Sequence, residues 1–256
     1  MTEPQYFDSP RGRRLAYHIH PGAGPWIVFL GGLKSDMEGT KAVHLEAWAR
    51  EKGYAFLRFD YSGHGQSSGT FEEGCIGDWA EDTHDILSAL TDGPVVPAGS
   101  SMGGWQALLL SRSLRERLVG MVTIAAAPDF TEDGYWASFT DEQKSVIETD
   151  GQVELPSDYM EPYIITRRMI EDGRRNLVLR DPLPLPFPVR CLQGTADTAV
   201  STETAVRLLE HATSPDMRLL LVKDADHRFS DGPCLGLIET AVEEVLALAQ
   251  STPGGD

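Results

Sequence analysis

The stretch that most constrains this chain is residues 95–105, where a short apolar run leads through a sharp turn into a second apolar run. The stretch contains G-x-S-x-G, with Ser101 as the central serine between Gly99 and Gly103. We expect a buried strand and then a helix, which the glycines allow to approach each other closely. In such a turn the serine is strained, its hydroxyl is exposed at a helix N-terminus, and the Met102 amide can face an oxyanion. Because G-x-S-x-G alone is common in loops, the flanking strand and helix strengthen this prediction.

Most of the remaining chain alternates between apolar strand-like runs and amphipathic helical runs. This pattern predicts an α/β fold with a mostly parallel sheet and helices on both faces. The 256 residues are enough for one large core, and we predict a single domain over 1–256. Besides the strand before Ser101, strands are predicted at 5–8, 14–19, 26–30, 54–59, 119–126, 189–193 and 217–222. Helices are predicted at 40–51, 78–90 with Asp78 as N-cap, 202–211 and 235–246.

The alternation breaks between about residues 128 and 188, and this segment is too long for a simple loop. It contains helical patterns near 142–149 and 156–172 and ends in prolines at alternate positions, which favour an extended connector. We interpret the segment as a cap inserted between two core strands. Its aromatic side chains either pack the cap onto the core or also line an acyl-binding pocket. The pocket candidates are Trp136, Phe139, Tyr159 and Tyr163.

Three polar residues follow predicted strands in the order Ser101, Asp197, His227. Because parallel strands end at one edge of the sheet, we expect these side chains to lie there together. A serine hydroxyl becomes nucleophilic when a base removes its proton, an imidazole can be that base, and a carboxylate orients the imidazole. Asp129 and Asp226 remain rival acids. His64 is a weaker candidate base, because no acid is placed to orient it.

A glycine pair follows the apolar run at 26–30 and leads into Leu33. Glycines directly after a buried strand let the backbone approach a ligand closely. The Leu33 amide is therefore the candidate for a second oxyanion donor beside Met102. The alternative is a plain strand-to-helix turn.

The formal net charge of −17 disfavours binding to nucleic acids and to anionic membranes. The three cysteines lie far apart, so we expect neither a disulfide framework nor a zinc site. We found no apolar run long enough to span a membrane and no signal or transit peptide pattern, so we expect a cytoplasmic protein. The expected partner is a small-molecule ester or thioester, with no metal or cofactor and a monomer as the default.

Several longer motifs are more specific than G-x-S-x-G. They are Glu-Gly-Thr-Lys-Ala at 38–42, Arg-Phe-Asp-Tyr-Ser-Gly at 58–63, Gly-Ser-Ser-Met-Gly-Gly-Trp at 99–105 and Asp-His-Arg at 226–228. With these motifs the chain resembles the α/β-hydrolase superfamily over essentially its whole length, and within it the α/β-hydrolase-domain-10 branch. Members of that branch are known as palmitoyl-protein thioesterases and mycophenolic acid acyl-glucuronide esterases.

The resemblance implies the α/β-hydrolase fold, with a mostly parallel eight-stranded sheet. It also implies a serine hydrolase that forms an acyl-enzyme, with Ser101, Asp197 and His227 as its triad. The eukaryotic branch member is mitochondrial, a location that we do not transfer to this chain. C–C bond or lactone hydrolysis on the same triad remains an alternative, as does a non-catalytic small-molecule-binding protein.

Overall fold

The computed structural model describes residues 3–155 and 162–251. Eight of its strands form one sheet in the order β1-β2-β4-β3-β5-β6-β10-β12. The β1–β2 and β2–β4 pairs are antiparallel and the other pairs are parallel, so the sheet is mostly parallel as predicted. The strands are β1 (Gln5–Asp8), β2 (Arg14–His20), β3 (Ala23–Leu30), β4 (Tyr54–Phe59), β5 (Val95–Ser100), β6 (Met121–Ile124), β7 (Gln152–Leu155), β8 (Tyr163–Thr166), β9 (Leu183–Pro184), β10 (Val189–Gly194), β11 (Ala212–Thr213) and β12 (Met217–Val222).

Helices cover both faces of the sheet, as predicted. Helices α1 and α7 pack on one face, and α2, α3 and α6 pack on the other. The α-helices are α1 (Thr40–Lys52), α2 (Ile76–Leu90), α3 (Met102–Ser113), α4 (Asp141–Thr149), α5 (Arg167–Arg175), α6 (Thr202–His211) and α7 (Gly232–Ser251). The prediction of Asp78 as the N-cap of α2 is wrong. Cys75 takes that position, and Asp78 lies in the first turn, where its carboxylate pairs with Arg168 at 2.7 Å.

The continuous apolar run of β3 follows from burial on both faces of the sheet. Val28 and Leu30 belong to the core beneath α2 and α3, whereas Ile27 and Phe29 belong to the core beneath α1 and α7. Side chains of a strand alternate between faces, so a strand covered on both sides is apolar at every position. The parallel strands run in the same direction, so their carboxyl ends lie at one edge of the sheet.

An insertion with its own secondary structure connects β6 to β10. It contains a π-helix (Phe130–Trp136), α4, an antiparallel hairpin of β7 and β8, and α5. The helix predicted over 156–172 is therefore wrong at 163–166, which form β8, and residues 156–161 lie outside the described residues. The insertion contacts the core through the Trp105 indole, which donates to the Asn176 carbonyl at 3.1 Å. The cap boundaries at 128 and 188 stay a prediction.

Candidate active site

Ser101 lies in the turn between the end of β5 and the start of α3. Its backbone has φ 55° and ψ −119°, a left-handed conformation that is strained for a residue with a side chain. Hydrogen bonds hold it in place: its amide donates to the Ile124 carbonyl at 2.9 Å, and its own carbonyl accepts from Gly104 at 2.9 Å and Ala127 at 3.1 Å. This backbone projects the Ser101 side chain away from the strand at the polar edge of the sheet.

The two glycines of G-x-S-x-G are required by close backbone approach. A Cβ at Gly99 would lie 2.2 Å from the Gly103 carbonyl oxygen, and a Cβ at Gly103 would lie 2.0 Å from the Leu30 carbonyl oxygen. Both contacts involve main-chain atoms of neighbouring elements, which cannot swing aside as a side chain can. The motif therefore fits this turn because β3, β5 and α3 converge there.

His227 reaches Ser101 from the loop that follows β12. Its Nε2 lies 3.1 Å from Ser101 Oγ, and its Nδ1 lies 2.8 Å from Asp197 Oδ2. Ser101, Asp197 and His227 come from three loops that are far apart in the sequence and follow β5, β10 and β12. The three side chains thus form one hydrogen-bonded chain at the carboxyl edge of the sheet.

The Asp197 side chain has no exposed surface and accepts several hydrogen bonds besides the contact with His227. Its Oδ1 accepts from the amides of Ala199 at 2.9 Å and Val200 at 2.8 Å, and its Oδ2 accepts from Gln193 Nε2 at 3.0 Å. Burial raises the pKa of Asp197, but the hydrogen bonds from His227, Val200 and Gln193 have the larger combined effect. The pKa of Asp197 is therefore lowered from its ordinary value. An ionised Asp197 holds the proton of His227 on Nδ1, so that Nε2 can accept the Ser101 proton.

Leu33 follows Gly32 in the loop after β3, and Met102 follows Ser101 directly in the chain. A Cβ built on Gly32 would lie 3.4 Å from the Cβ of Ser101, which brings the loop after β3 next to the serine. Within residues 3–155 and 162–251, neither amide has a hydrogen-bond acceptor. Unpaired main-chain donors beside a serine can bind an oxyanion without rearranging.

The rival residues are engaged elsewhere. The carboxylate of Asp129 is buried and accepts from the amides of Val178 at 2.8 Å and Leu179 at 3.0 Å. Asp226 accepts from the Phe229 amide in its own loop at 3.1 Å. His64 is enclosed by aromatic rings, and burial lowers its pKa to about 4. It is the imidazole of His227 that lies against Ser101.

The described cap candidates occupy different positions. The Trp136 ring lies in the segment between β6 and β10, with the guanidinium of Arg174 4.5 Å from its centroid, and Phe139 is buried beside it. The Tyr163 ring lies 5.3 Å from the ammonium of Lys34, next to the loop that contains Leu33. Tyr159 lies outside the described residues. The assignment of these side chains to a substrate pocket stays a prediction.

Sequence reasoning overlooked Gln193, which lies in β10 four positions before Asp197. Its side-chain amide is buried and donates to the Asp197 carboxylate. An amide side chain in a buried strand, shortly before a candidate acid, was the available signal. Buried polar side chains need partners, and the strand end placed a carboxylate within reach.

The sequence and the fold of this chain are similar to those of known proteins. The profile of the family described as alpha/beta hydrolase family matches residues 19–247. The mitochondrial palmitoyl-protein thioesterase ABHD10 of Bos taurus is 33% identical over 250 residues, which cover 96% of this chain and 80% of that protein. Among solved structures, mouse alpha/beta hydrolase domain-containing protein 10 has a TM-score of 0.88 at 30% identity, covering 96% of this chain and 99% of that one. A protein from Agrobacterium vitis S4 has a TM-score of 0.92 at 36% identity, covering 95% and 98%.

Proposed function

Because the chain belongs to the α/β-hydrolase family, we propose that it is a serine hydrolase that cleaves carboxylic esters or thioesters through an acyl-enzyme. The observation that carries this proposal is the hydrogen-bonded chain from Ser101 Oγ through His227 to Asp197, at 3.1 and 2.8 Å. Ser101 is the proposed nucleophile, His227 the general base and Asp197 the residue that orients it.

In the first half of the proposed reaction, His227 Nε2 takes the proton of Ser101 while Oγ attacks the acyl carbonyl. The carbonyl oxygen becomes an oxyanion, which accepts hydrogen bonds from the Leu33 and Met102 amides. Each such donor contributes about 2.7–4 kcal/mol to transition-state stabilisation when it is well aimed. The imidazolium then gives its proton to the leaving alcohol or thiol, and the acyl group remains on Oγ.

In the second half, water replaces the leaving group. His227 takes a proton from this water, which attacks the acyl carbon, and the second oxyanion occupies the same site. Collapse of the intermediate breaks the bond to Oγ, returns the proton to Ser101 and releases the carboxylic acid. Asp197 stays ionised throughout and stabilises the imidazolium in both halves.

For the substrate, we propose long-chain acyl thioesters as the first class to test, because relatives that align with 96% of the chain are named palmitoyl-protein thioesterases. In this proposal Trp136, Phe139, Tyr159 and Tyr163 contribute to the acyl pocket. Acyl glucuronides are the alternative ester class. C–C bond or lactone hydrolysis is tested if no ester or thioester is cleaved.

The deciding experiment measures kcat/KM on acyl thioesters and aryl esters from C2 to C16, with Ser101→Ala as the matched blank. We expect hydrolysis by the wild type and a loss of about 10⁶-fold in kcat in Ser101→Ala. A fluorophosphonate that labels the wild type but not the variant identifies the nucleophile. Equal rates on every substrate, together with no labelling, would refute the proposed function and favour the non-catalytic alternative.

Location and assembly stay predictions. Within the described residues, no helix has the length and apolar character needed to cross a membrane. We retain the cytoplasmic location and the monomer as proposals, although the relatives named palmitoyl-protein thioesterases are mitochondrial proteins. Cell fractionation and light scattering of the purified protein test them.

A further inference from the structure

Lys41 links the first turn of α1 to the loop that carries His227. Its ammonium donates to the main-chain carbonyl of Arg228, the residue after His227, and lies 3.4 Å from the Ser230 hydroxyl. The Ser230 hydroxyl also donates to the Arg228 carbonyl, at 2.8 Å. Lys41 is half-buried, so this contact is partly shielded from water.

The loop that Lys41 contacts contains two residues with a strained backbone conformation. Asp224 and Phe229 have φ values of 62° and 48°, a left-handed conformation that is strained for residues with side chains, and they bracket His227. Upstream of His227, the Asp224 amide donates to the Thr195 hydroxyl at 2.9 Å. Downstream, Lys41 supplies a contact from a separate element. The loop is therefore held from two sides of the imidazole.

The position of Lys41 is itself fixed by residues at the end of β4. The Arg58 guanidinium donates to the Met37 carbonyl at 2.6 Å and pairs with the Glu38 carboxylate at 2.8 Å. The Asp60 carboxylate accepts from the Met37 amide at 2.6 Å. These contacts hold the turn just before α1. The sequence motifs at 38–42, 58–63 and 226–228 thus belong to one connected set of contacts that ends at the His227 loop.

We propose that Lys41 is a positioning residue, whose ammonium holds the His227 loop so that Nε2 stays within hydrogen-bonding distance of Ser101 Oγ. This proposal rests on the proposed function for its kinetic consequences, but its structural part is independent of turnover. Lys41 contacts the main chain beside the base and does not itself contact Ser101. Its loss should therefore lower kcat and leave KM nearly unchanged.

The charge of Lys41 adds a pH dependence. Burial lowers the pKa of Lys41 to about 8, the charge of Asp226 opposes that shift, and the charge of Arg228 reinforces it. Within residues 3–155 and 162–251, Asp226 and Arg228 are the charged groups that act on Lys41. A charged donor binds a carbonyl more strongly than a neutral amine does, so the contact should weaken as the pH rises through about 8.

The kinetic test compares Lys41→Met with Lys52→Met on a 4-nitrophenyl ester at pH 7. Lys52 is a matched control because it lies on the same helix and forms an exposed ion pair with Glu243 at 3.1 Å. We expect Lys41→Met to lower kcat about ten- to a hundredfold with KM within about twofold, the loss typical of one charge-assisted hydrogen bond. Lys52→Met should stay within about twofold of the wild type. Equal kcat in the two variants would overturn the proposal.

The charge is tested with Lys41→Arg, which stays cationic across the range. The wild-type kcat, corrected with Ser101→Ala, should fall with a midpoint near pH 8, and Lys41→Arg should keep its rate to higher pH. An alkaline fall that is identical in the two proteins, or a flat wild-type profile to pH 10, would overturn the role of the charge. This comparison also applies if Lys41→Met fails to fold.

Hydrogen–deuterium exchange of residues 223–231 measures how often the backbone amides of the loop open to solvent, and it needs no substrate. We expect exchange about tenfold faster in Lys41→Met than in the wild type, and no change in Lys52→Met. Wild-type exchange rates in a folded Lys41→Met would overturn the positioning role. If the wild type hydrolyses no ester or thioester but Lys41→Met still exchanges faster than the wild type, only the proposed hydrolase function is contradicted. The positioning role of Lys41 is therefore tested separately from the proposed function.

Discussion

Asp197→Asn offers a sharp test of the site, because the structure dictates how the new amide must sit. Oδ1 of Asp197 accepts from two backbone amides, those of Ala199 and Val200, which cannot turn away. The carbonyl oxygen of asparagine must therefore take the Oδ1 position, and its NH₂ must take the Oδ2 position, facing Gln193 Nε2 and His227 Nδ1. The asparagine side chain has the same shape as the aspartate side chain, but it presents an NH₂ donor to the His227 imidazole in place of the carboxylate oxygen acceptor.

That exchange reverses the tautomer of His227. A donor opposite Nδ1 requires an unprotonated Nδ1, so the proton moves to Nε2 and points at Ser101 Oγ, 3.1 Å away. Nε2 then cannot accept the serine proton. The corresponding change in other triads lowers kcat about 10⁴-fold, which equals about 5.5 kcal/mol of transition-state stabilisation.

The assay is kcat at pH 7 on the best ester or thioester, with Asp129→Asn as the matched control. Asp129 is also buried and also accepts two backbone hydrogen bonds, but from Val178 and Leu179. Asp129→Asn should destabilise the fold by about 1–3 kcal/mol and keep kcat within about tenfold. An Asp197→Asn variant that retains more than a tenth of the wild-type kcat would contradict the role of Asp197. So would an Asp129→Asn variant whose kcat falls as far as that of Asp197→Asn.

Two further predictions concern stability. Gly103→Ala should lower the free energy of unfolding by about 3 kcal/mol or more, because the new Cβ would lie 2.0 Å from the Leu30 carbonyl oxygen. The control Gly31→Ala places its Cβ where no atom lies within 4 Å, so it should change the free energy of unfolding by less than about 1 kcal/mol. Urea unfolding measures both variants, and equal effects would contradict the packing explanation. Burial raises the pKa of Asp60 to about 6 despite hydrogen bonds from the Gln66 and Met37 amides. Since this folded-state pKa lies above the unfolded value of about 3.9, the contribution of Asp60 is fully present below pH 4 and is lost as the pH rises through 6, by about 3 kcal/mol. The difference in unfolding free energy between the wild type and Asp60→Asn should shift by that amount from pH 4 to pH 7, and a constant difference would refute it.

The core strands were predictable because the sheet is covered on both faces. The run at 26–30 lies within β3, which begins at Ala23, and the run at 54–59 coincides with β4. The predicted α/β-hydrolase fold and family resemblance are confirmed. The cap was less predictable. Residues 163–166 form a strand because they pair with 152–155, a non-local contact that leaves no periodic signature in so short a run. The start of α2 was missed because Cys75 has no capping side chain to mark it.

The amino-acid sequence specifies the chemistry that this chain can offer. It placed a serine, an acid and a histidine after strands that end at one edge, with glycines where main chains converge. Which of these residues contact each other follows from the tertiary structure. Asp197 rather than Asp129 lies against His227, and Lys41 contacts the loop beside it, because the order of strands across the sheet sets these distances. Local periodicity reports which way a side chain faces, whereas the packing of distant elements determines what it touches.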